Sequence, residues 1–215
     1  MERWQKNNIT IYHGDCQDIL PELDTSNIEL LLSDPPWGSN FNFNYERFSG
    51  GLRENRNYGE MIGDDSPFDP SPFLKFPKVI LWGSNHFAKH LPIGTTLVWN
   101  KKRPNQTGKF LSDGELAWMK GGVGVYIFTH IWHGFDRESE RGKTLHPTQK
   151  PILLMEWCLK RAKATGAVLD PFMGCCPVGL ACINMGLPFI GIEQDEHHFE
   201  TARQRTEQYV HQEKA

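Results

Sequence analysis

Eight short apolar runs, many of them β-branched and nearly continuous, constrain the fold of this chain more than any other feature. They are Ile9–Tyr12, Ile28–Leu32, Val79–Trp82, Thr95–Trp99, Glu115–Met119, Val123–Trp132, Ala167–Leu169 and Phe189–Ile192. Runs of this kind, apolar at successive positions, read as strands buried on both faces. Helical patterns lie between several of them: a short one at Asp15–Leu23, a shorter one at Asn85–Leu91, and longer ones at Gln149–Ala164, Pro177–Met185 and Asp195–Val210. In the last, Asp195 is placed as an N-cap, and Phe199, Ala202 and Thr206 share a face with Tyr209 and Val210. Strands alternating with helices imply an α/β fold, a doubly wound and mostly parallel sheet whose ligands sit at the carboxyl ends of its strands. Residues 38–72 and 100–148 do not fit the alternation and read as two long loops. A length of 215 residues then fits a single domain, 1–215, carrying those loops.

Four predicted strand ends carry unusual residues. After Ile28–Leu32 comes Ser33-Asp34-Pro35-Pro36-Trp37-Gly38. Two prolines remove two N–H donors, so the Asp34 carboxylate and the Pro35 carbonyl become paired acceptors suited to an exocyclic amino group, with Trp37 as a flat face beside them. A plain proline-rich turn with an Asp cap is the competing reading of these residues alone. After Ala167–Leu169 comes Asp170-Pro171-Phe172-Met173-Gly174-Cys175-Cys176-Pro177-Val178-Gly179, a strand, a glycine turn and a helix start that together make a cradle for a nucleotide-like ligand. Cys176 stands where a second glycine is expected, and its β-carbon there could crowd a ligand. Phe189–Ile192 ends in Glu193, about 20 residues after the glycine turn, the distance at which an acid meets ribose hydroxyls. Alone, Glu193 reads first as an acid favoured by the following helix dipole. The fourth end, His13-Gly14-Asp15-Cys16, is individually weak.

Composition narrows the partners. The net charge is −3 and the mean hydropathy −0.51, which excludes a uniformly basic coat protein. Residues 99–151 nevertheless hold nine Lys and Arg against five Asp and Glu, a net of +4, leaving −7 for the remainder. Phosphate-facing residues are therefore sought in Lys101, Lys102, Arg103 and Lys109 and in Arg137, Arg141 and Lys143, with Arg47 and Arg53 of the first long loop as a second group. Five cysteines, an odd number without C-x-x-C spacing, support neither a disulfide framework nor a zinc site, so no metal is expected. Cys175, at a helix start, reads as an inert buried thiol before an activated one. No apolar window approaches a membrane span and the first residues contain no signal-like run, so a cytoplasmic protein with no membrane partner is expected.

Taken together, Asp34-Pro35-Pro36-Trp37, His146-Pro147-Thr148-Gln149-Lys150-Pro151 and Asp170-Pro171-Phe172-Met173-Gly174, in that order, resemble the β-class of DNA amino-methyltransferases over nearly the whole chain. The D-P-P-W form is the one usual for adenine-N6 enzymes, and the compact size resembles phage and bacterial restriction-modification forms. The resemblance implies a Rossmann-like methyltransferase fold and S-adenosylmethionine as cofactor. It puts Asp170, Phe172 and Gly174 on the methionine and ribose part of that cofactor, Glu193 on the ribose hydroxyls and Asp15 near the adenine ring. His146, Thr148 and Lys150 shape the methionine end, and Asp34, Pro35, Pro36 and Trp37 serve a target adenine flipped out of double-stranded DNA. A homodimer is a further expectation. One departure stands out: Cys175-Cys176-Pro177-Val178 replaces the hydroxyl- and glycine-rich sequence usual there, and the lost bonds, on the order of 1.5–3 kcal/mol, correspond to cofactor affinity weaker by roughly tenfold to hundredfold. N4-cytosine methylation and a degenerate DNA-binding relative remain the alternatives. A small-molecule or protein methyltransferase is disfavoured because its motifs usually run in the reverse order.

Overall fold

A computed structural model describes residues 2–38, 62–108, 112–133, 136–140 and 149–212. Ten strands are described among them: β1 (Glu2–Lys6), β2 (Ile9–His13), β3 (Ile28–Ser33), β4 (Lys78–Trp82), β5 (Gly94–Asn100), β6 (Gly114–Thr129), β7 (Trp132–His133), β8 (Asp136–Arg137), β9 (Ala167–Asp170) and β10 (Phe189–Glu193). The described α-helices are α1 (Cys16–Ile19), α2 (Ile152–Arg161), α3 (Pro177–Met185) and α4 (Glu196–Gln212). Eight strands form one sheet in the order β1-β2-β10-β9-β3-β4-β6-β5, and β7 pairs with β8 separately. From β2 to β4 every neighbouring pair is parallel, which puts the ends of β2, β10, β9 and β3 at one edge. The Rossmann-like α/β architecture expected from the alternation is the one observed.

Three departures from the sequence reading have local causes. β1 is missing from the predicted strands because its residues are mostly polar; it pairs antiparallel with β2 through Asn7-Asn8, where Asn7 adopts φ 54°, a conformation asparagine tolerates. Within residues 100–148, read above as a long loop, Glu115–Met119 and most of Val123–Trp132 are one element, β6, folded at Gly121 and Gly122, both with positive φ, so that its two halves flank β5 and Val98 sits opposite both Leu116 and Ile127. α2 starts at Ile152 and not at Gln149, because Pro151 disfavours helical geometry in the residue before it.

The core is two layers divided by the sheet. Leu30, Leu32, Ile80, Trp82 and Val168 face α2, α3 and α4, meeting Leu154, Leu159, Leu180 and Phe199. Leu31, Val79, Leu81 and Leu169 face the other way, onto α1 and a cluster that includes Phe73, Phe76 and Phe87. Helical cover is thus uneven, and phenylalanines from short turns substitute for helices on the second face. Each fully buried Leu or Ile contributes roughly 1.5–3 kcal/mol. Asp195 caps α4, its Oδ1 accepting the His198 N–H at 2.8 Å, as its position before the apolar stripe predicts. Among the described residues no helix is long and apolar enough to cross a membrane.

Candidate functional site

Four acidic residues gather where the parallel strands end. Asp170 ends β9, Glu193 ends β10, Asp34 follows β3, and Asp15 follows β2. Gly14 donates its N–H to the Glu193 carbonyl at 2.9 Å, and Ser33 Oγ donates to Asp170 Oδ1 at 2.5 Å, so neighbouring strand ends are tied together. Asp170 is 2% exposed, and Phe172 N–H also donates to its Oδ1 at 3.1 Å. Burial pushes its carboxyl up to about 7 against those two hydrogen bonds, with Asp34 and Glu193 adding repulsion. Glu193 bridges two backbone groups, accepting from Gly174 N–H at 2.7 Å and from Asp195 N–H at 2.8 Å, and burial raises it as well. Among the described residues no ion pair compensates Asp170 or Glu193, so this half of the site favours a ligand bearing hydroxyl groups or positive charge.

Asp34 differs because it has a cation. Lys150 Nζ meets Asp34 Oδ2 in a very short contact and lies 3.1 Å from Glu115 Oε2. Burial raises the Asp34 carboxyl, Lys150 opposes that, and Glu115 reinforces it. For Glu115, burial is outweighed by Lys150 and Lys101, which hold it down at about 2. Asp34 Oδ1 is buried and accepts no hydrogen bond of good geometry, although the Trp37 indole lies close enough to the carboxylate to favour its charged form. Trp37 is positioned from several sides: its backbone N–H and that of Gly38 donate to Asp64 Oδ1 at 3.0 and 2.9 Å, and its ring stacks on His86 at 4.6 Å and 12°. Gly83, with φ +72°, is what admits the indole, since a β-carbon there would lie 2.0 Å from Trp37 Nε1. The flat face expected to receive a base is therefore already stacked on His86 on one side.

The glycine turn explains the cysteines. Cys176 adopts φ 63°, the left-handed conformation that makes glycine the ordinary residue there. Sγ turns under the helix, 2.3 Å from where a β-carbon on Gly179 would stand, so Gly179 makes room for Cys176. Cys175 is buried, which pushes its thiol up to about 11, and Arg205 donates to its carbonyl at 2.8 Å. Arg205 also pairs with Glu140 at 2.6 Å, and Glu140 Oε1 accepts the Ile152 N–H at 2.8 Å, tying the glycine turn to the start of α2. Phe172 sits in an aromatic cluster with Phe68 and Phe73 at 5.7 and 5.5 Å. Asp15 caps α1, accepting Gln17 N–H at 2.8 Å, with one oxygen thereby spent on the backbone.

The expected phosphate contacts fare differently. The Lys102 side chain, expected to face phosphate, is fully buried and pairs with Asp113 at 2.9 Å. Lys101 is likewise turned inward, onto Glu115 at 2.7 Å, and the 120-position lysine of the same basic third donates to the carbonyls of Leu74 and Phe76 at 2.9 and 2.8 Å. Arg103 pairs with Asp136 at 3.1 Å while half exposed, and Arg137 lies over the Trp132 ring at 4.2 Å. Counting charge along the sequence ignores such pairing, which is why the positive middle looked freer than it is. Arg47, Arg53, Lys109, Arg141, Lys143, His146 and Thr148 lie outside the described residues. Glu115, Asp64, His86, Glu140 and Arg205 were not singled out from sequence; a lone acid or histidine outside a motif gives no signal until its partner is in place.

A family model described as DNA methylase matches residues 115–204, from Glu115 through Lys150 and the glycine turn to α4. Over most of its length the chain is also 28% identical to the type II methyltransferase M.HinfI of Haemophilus influenzae, an alignment covering 91% of this chain and 67% of that protein. The chain is thus similar to DNA methyltransferases of the N6/N4 class. Two solved structures share the fold of this chain. The M1.HpyAVI–SAM complex is 24% identical with a TM-score of 0.54, covering 92% of this chain and 99% of that one. The cytosine-N4-specific PvuII DNA methyltransferase is 15% identical with a TM-score of 0.60, covering 96% of this chain and 91% of that one.

Proposed function

We propose that this chain is a DNA amino-methyltransferase that transfers a methyl group from S-adenosylmethionine to the exocyclic N6 of an adenine flipped out of double-stranded DNA, in the restriction-modification setting of relatives such as M.HinfI. The observation that carries the reading is the buried, unpartnered Asp34 Oδ1 at the end of β3, beside the Pro35 carbonyl and on the same sheet edge as Asp170 and Glu193. The acceptors at β9 and β10, left without cations, fit the hydroxyls and positive charge of S-adenosylmethionine, and a relative of the same fold is a complex with that cofactor. Glu193 would hold the ribose, with Asp170 and Gly174 beside the rest. When bound, the cofactor supplies a methyl group on a positively charged sulfur.

The chain's own contribution is to the amine. Its lone pair is delocalised into the base, and two acceptors, Asp34 Oδ1 and the Pro35 carbonyl, would take its two hydrogens and free that pair. As positive charge develops on the nitrogen, the Asp34 carboxylate stabilises it in a dry pocket, and Oδ1 is the nearest acceptor for the proton that must leave. None of the cysteines takes part. Asp34 as the first motif residue supports adenine, following the D-P-P-W resemblance. Cytosine N4 is the second reading, favoured by the likeness to the PvuII enzyme. Incubation with methyl-labelled S-adenosylmethionine and unmethylated duplex DNA, then digestion to nucleosides, decides: N6-methyladenine supports the reading, N4-methylcytosine selects the second, and unlabelled DNA refutes both.

A further inference from the structure

Lys150 sits between two carboxylates, and the pair it makes is part of a longer series. Asp34, Lys150, Glu115 and Lys101 alternate in sign from the end of β3 to the end of β5, with side chains only 4–20% exposed. The four formal charges cancel, the condition under which such groups tolerate burial. Lys150 touching Asp34 alone would be free to cover both carboxylate oxygens. Glu115 draws it to the Oδ2 side, Lys101 at 2.7 Å fixes Glu115, and Oδ1 stays bare. The residue before Pro151 is biased toward extended backbone, and this places Lys150 ahead of α2 and not on it.

We propose that Lys150 and Glu115 are positioning residues of the target-amine side of the site: Lys150 supplies the positive charge that the buried Asp34 carboxylate needs and occupies only Oδ2, while Glu115 holds Lys150 in that place. This rests on the methyl-transfer reading above, and it moves Lys150 away from the cofactor half in which the motif resemblance put it. Burial drives Asp34 toward its neutral form, which cannot stabilise a developing cation, and Lys150 opposes that shift while Glu115 and Asp170 face Asp34 with like charge. The Trp37 indole N–H lies toward the same carboxylate without a hydrogen bond of good geometry.

The test is a carboxyl-carbon NMR titration of the full chain labelled at aspartate, with the Asp34 resonance assigned by Asp34→Asn, alongside calorimetry with S-adenosylmethionine. Lys150→Met is expected to raise the Asp34 midpoint by about one to three pH units and Lys150→Arg to restore it, with cofactor affinity unchanged. Glu115→Gln, which keeps the Lys150–Asp34 pair, is expected to lower the midpoint, and this opposite sign decides the matter even where Lys150→Met does not fold. An unmoved midpoint in Lys150→Met, or an upward one in Glu115→Gln, overturns the proposal, as does weakened cofactor binding with the midpoint unmoved. In the transfer assay the acidic limb of kcat follows the same midpoint. Should the native protein methylate no DNA while the midpoints move as stated, the charge arrangement stands and the methyl-transfer reading falls.

Discussion

Asp170→Asn should make the protein more stable at neutral pH while weakening its site. Asn keeps the size of Asp170 and an Oδ1 that can go on accepting from Ser33 Oγ and Phe172 N–H, both now made at 2.5 and 3.1 Å. What it removes is a carboxyl whose midpoint lies at 3.8 unfolded and about 7 folded. A raised acid keeps its proton in the native state over that interval while the unfolded chain has lost it, so its contribution to stability falls as pH rises from about 4 to 7 and then levels. The linkage penalty is about 2 kcal/mol at pH 5 and about 4 kcal/mol at pH 8. Guanidinium unfolding of both proteins at the two pH values, followed by circular dichroism, measures the difference. The variant's advantage should widen by roughly 2–3 kcal/mol between pH 5 and pH 8. A gap that stays flat or narrows, or a variant less stable than the native chain at pH 8, would refute the claim that Asp170 is buried without compensation. The same variant should bind S-adenosylmethionine more weakly by calorimetry, which separates a strained functional group from an ordinary core defect.

Three further outcomes are expected. Asp34→Ala should lower methyl transfer to DNA by about 100-fold or more while leaving cofactor affinity nearly unchanged; equal loss of both in paired kinetic and calorimetric measurements would contradict its place on the amine side. Gly83→Ala puts a β-carbon 2.0 Å from Trp37 Nε1 at a φ of +72°, and about 2–4 kcal/mol of strain and overpacking should lower Tm by roughly 4–16 °C, with kcat falling as Trp37 is displaced. Gly179→Ala gains helix propensity but meets Cys176 Sγ at 2.3 Å and Phe189 at 2.9 Å, so a net loss of about 1–2 kcal/mol is expected in a thermal melt; an unchanged melt would mean that Cys176 is not packed against it.

The parallel heart of the sheet was legible because strands buried on both faces leave uninterrupted apolar runs, and Ile28–Leu32, Val79–Trp82 and Phe189–Ile192 are such runs. β1 left no such trace, being largely polar, and the fold-back of β6 around β5 hangs on two glycines that read as an ordinary loop. Among the site residues, Asp34, Asp170 and Glu193 were legible because strand ends of a parallel sheet converge whatever the loops do. That Lys150 meets Asp34 and Glu115 was not legible, because a motif gives a residue's place along the chain and not which side chains it faces.

The sequence by itself determined the α/β class, the order of the three motifs and the acids at the strand ends, since period, length and spacing are properties of a chain read in one dimension. Only the tertiary structure decided which charges meet. It turned Lys101 and Lys102 inward, brought Glu115 to Lys150, seated Trp37 on His86 and tucked the Cys176 sulfur under Gly179. The physical reason is that pairing energy depends on distance and burial between residues far apart in sequence, Lys150 and Asp34 being separated by 116 positions, and neither quantity exists until the chain has packed.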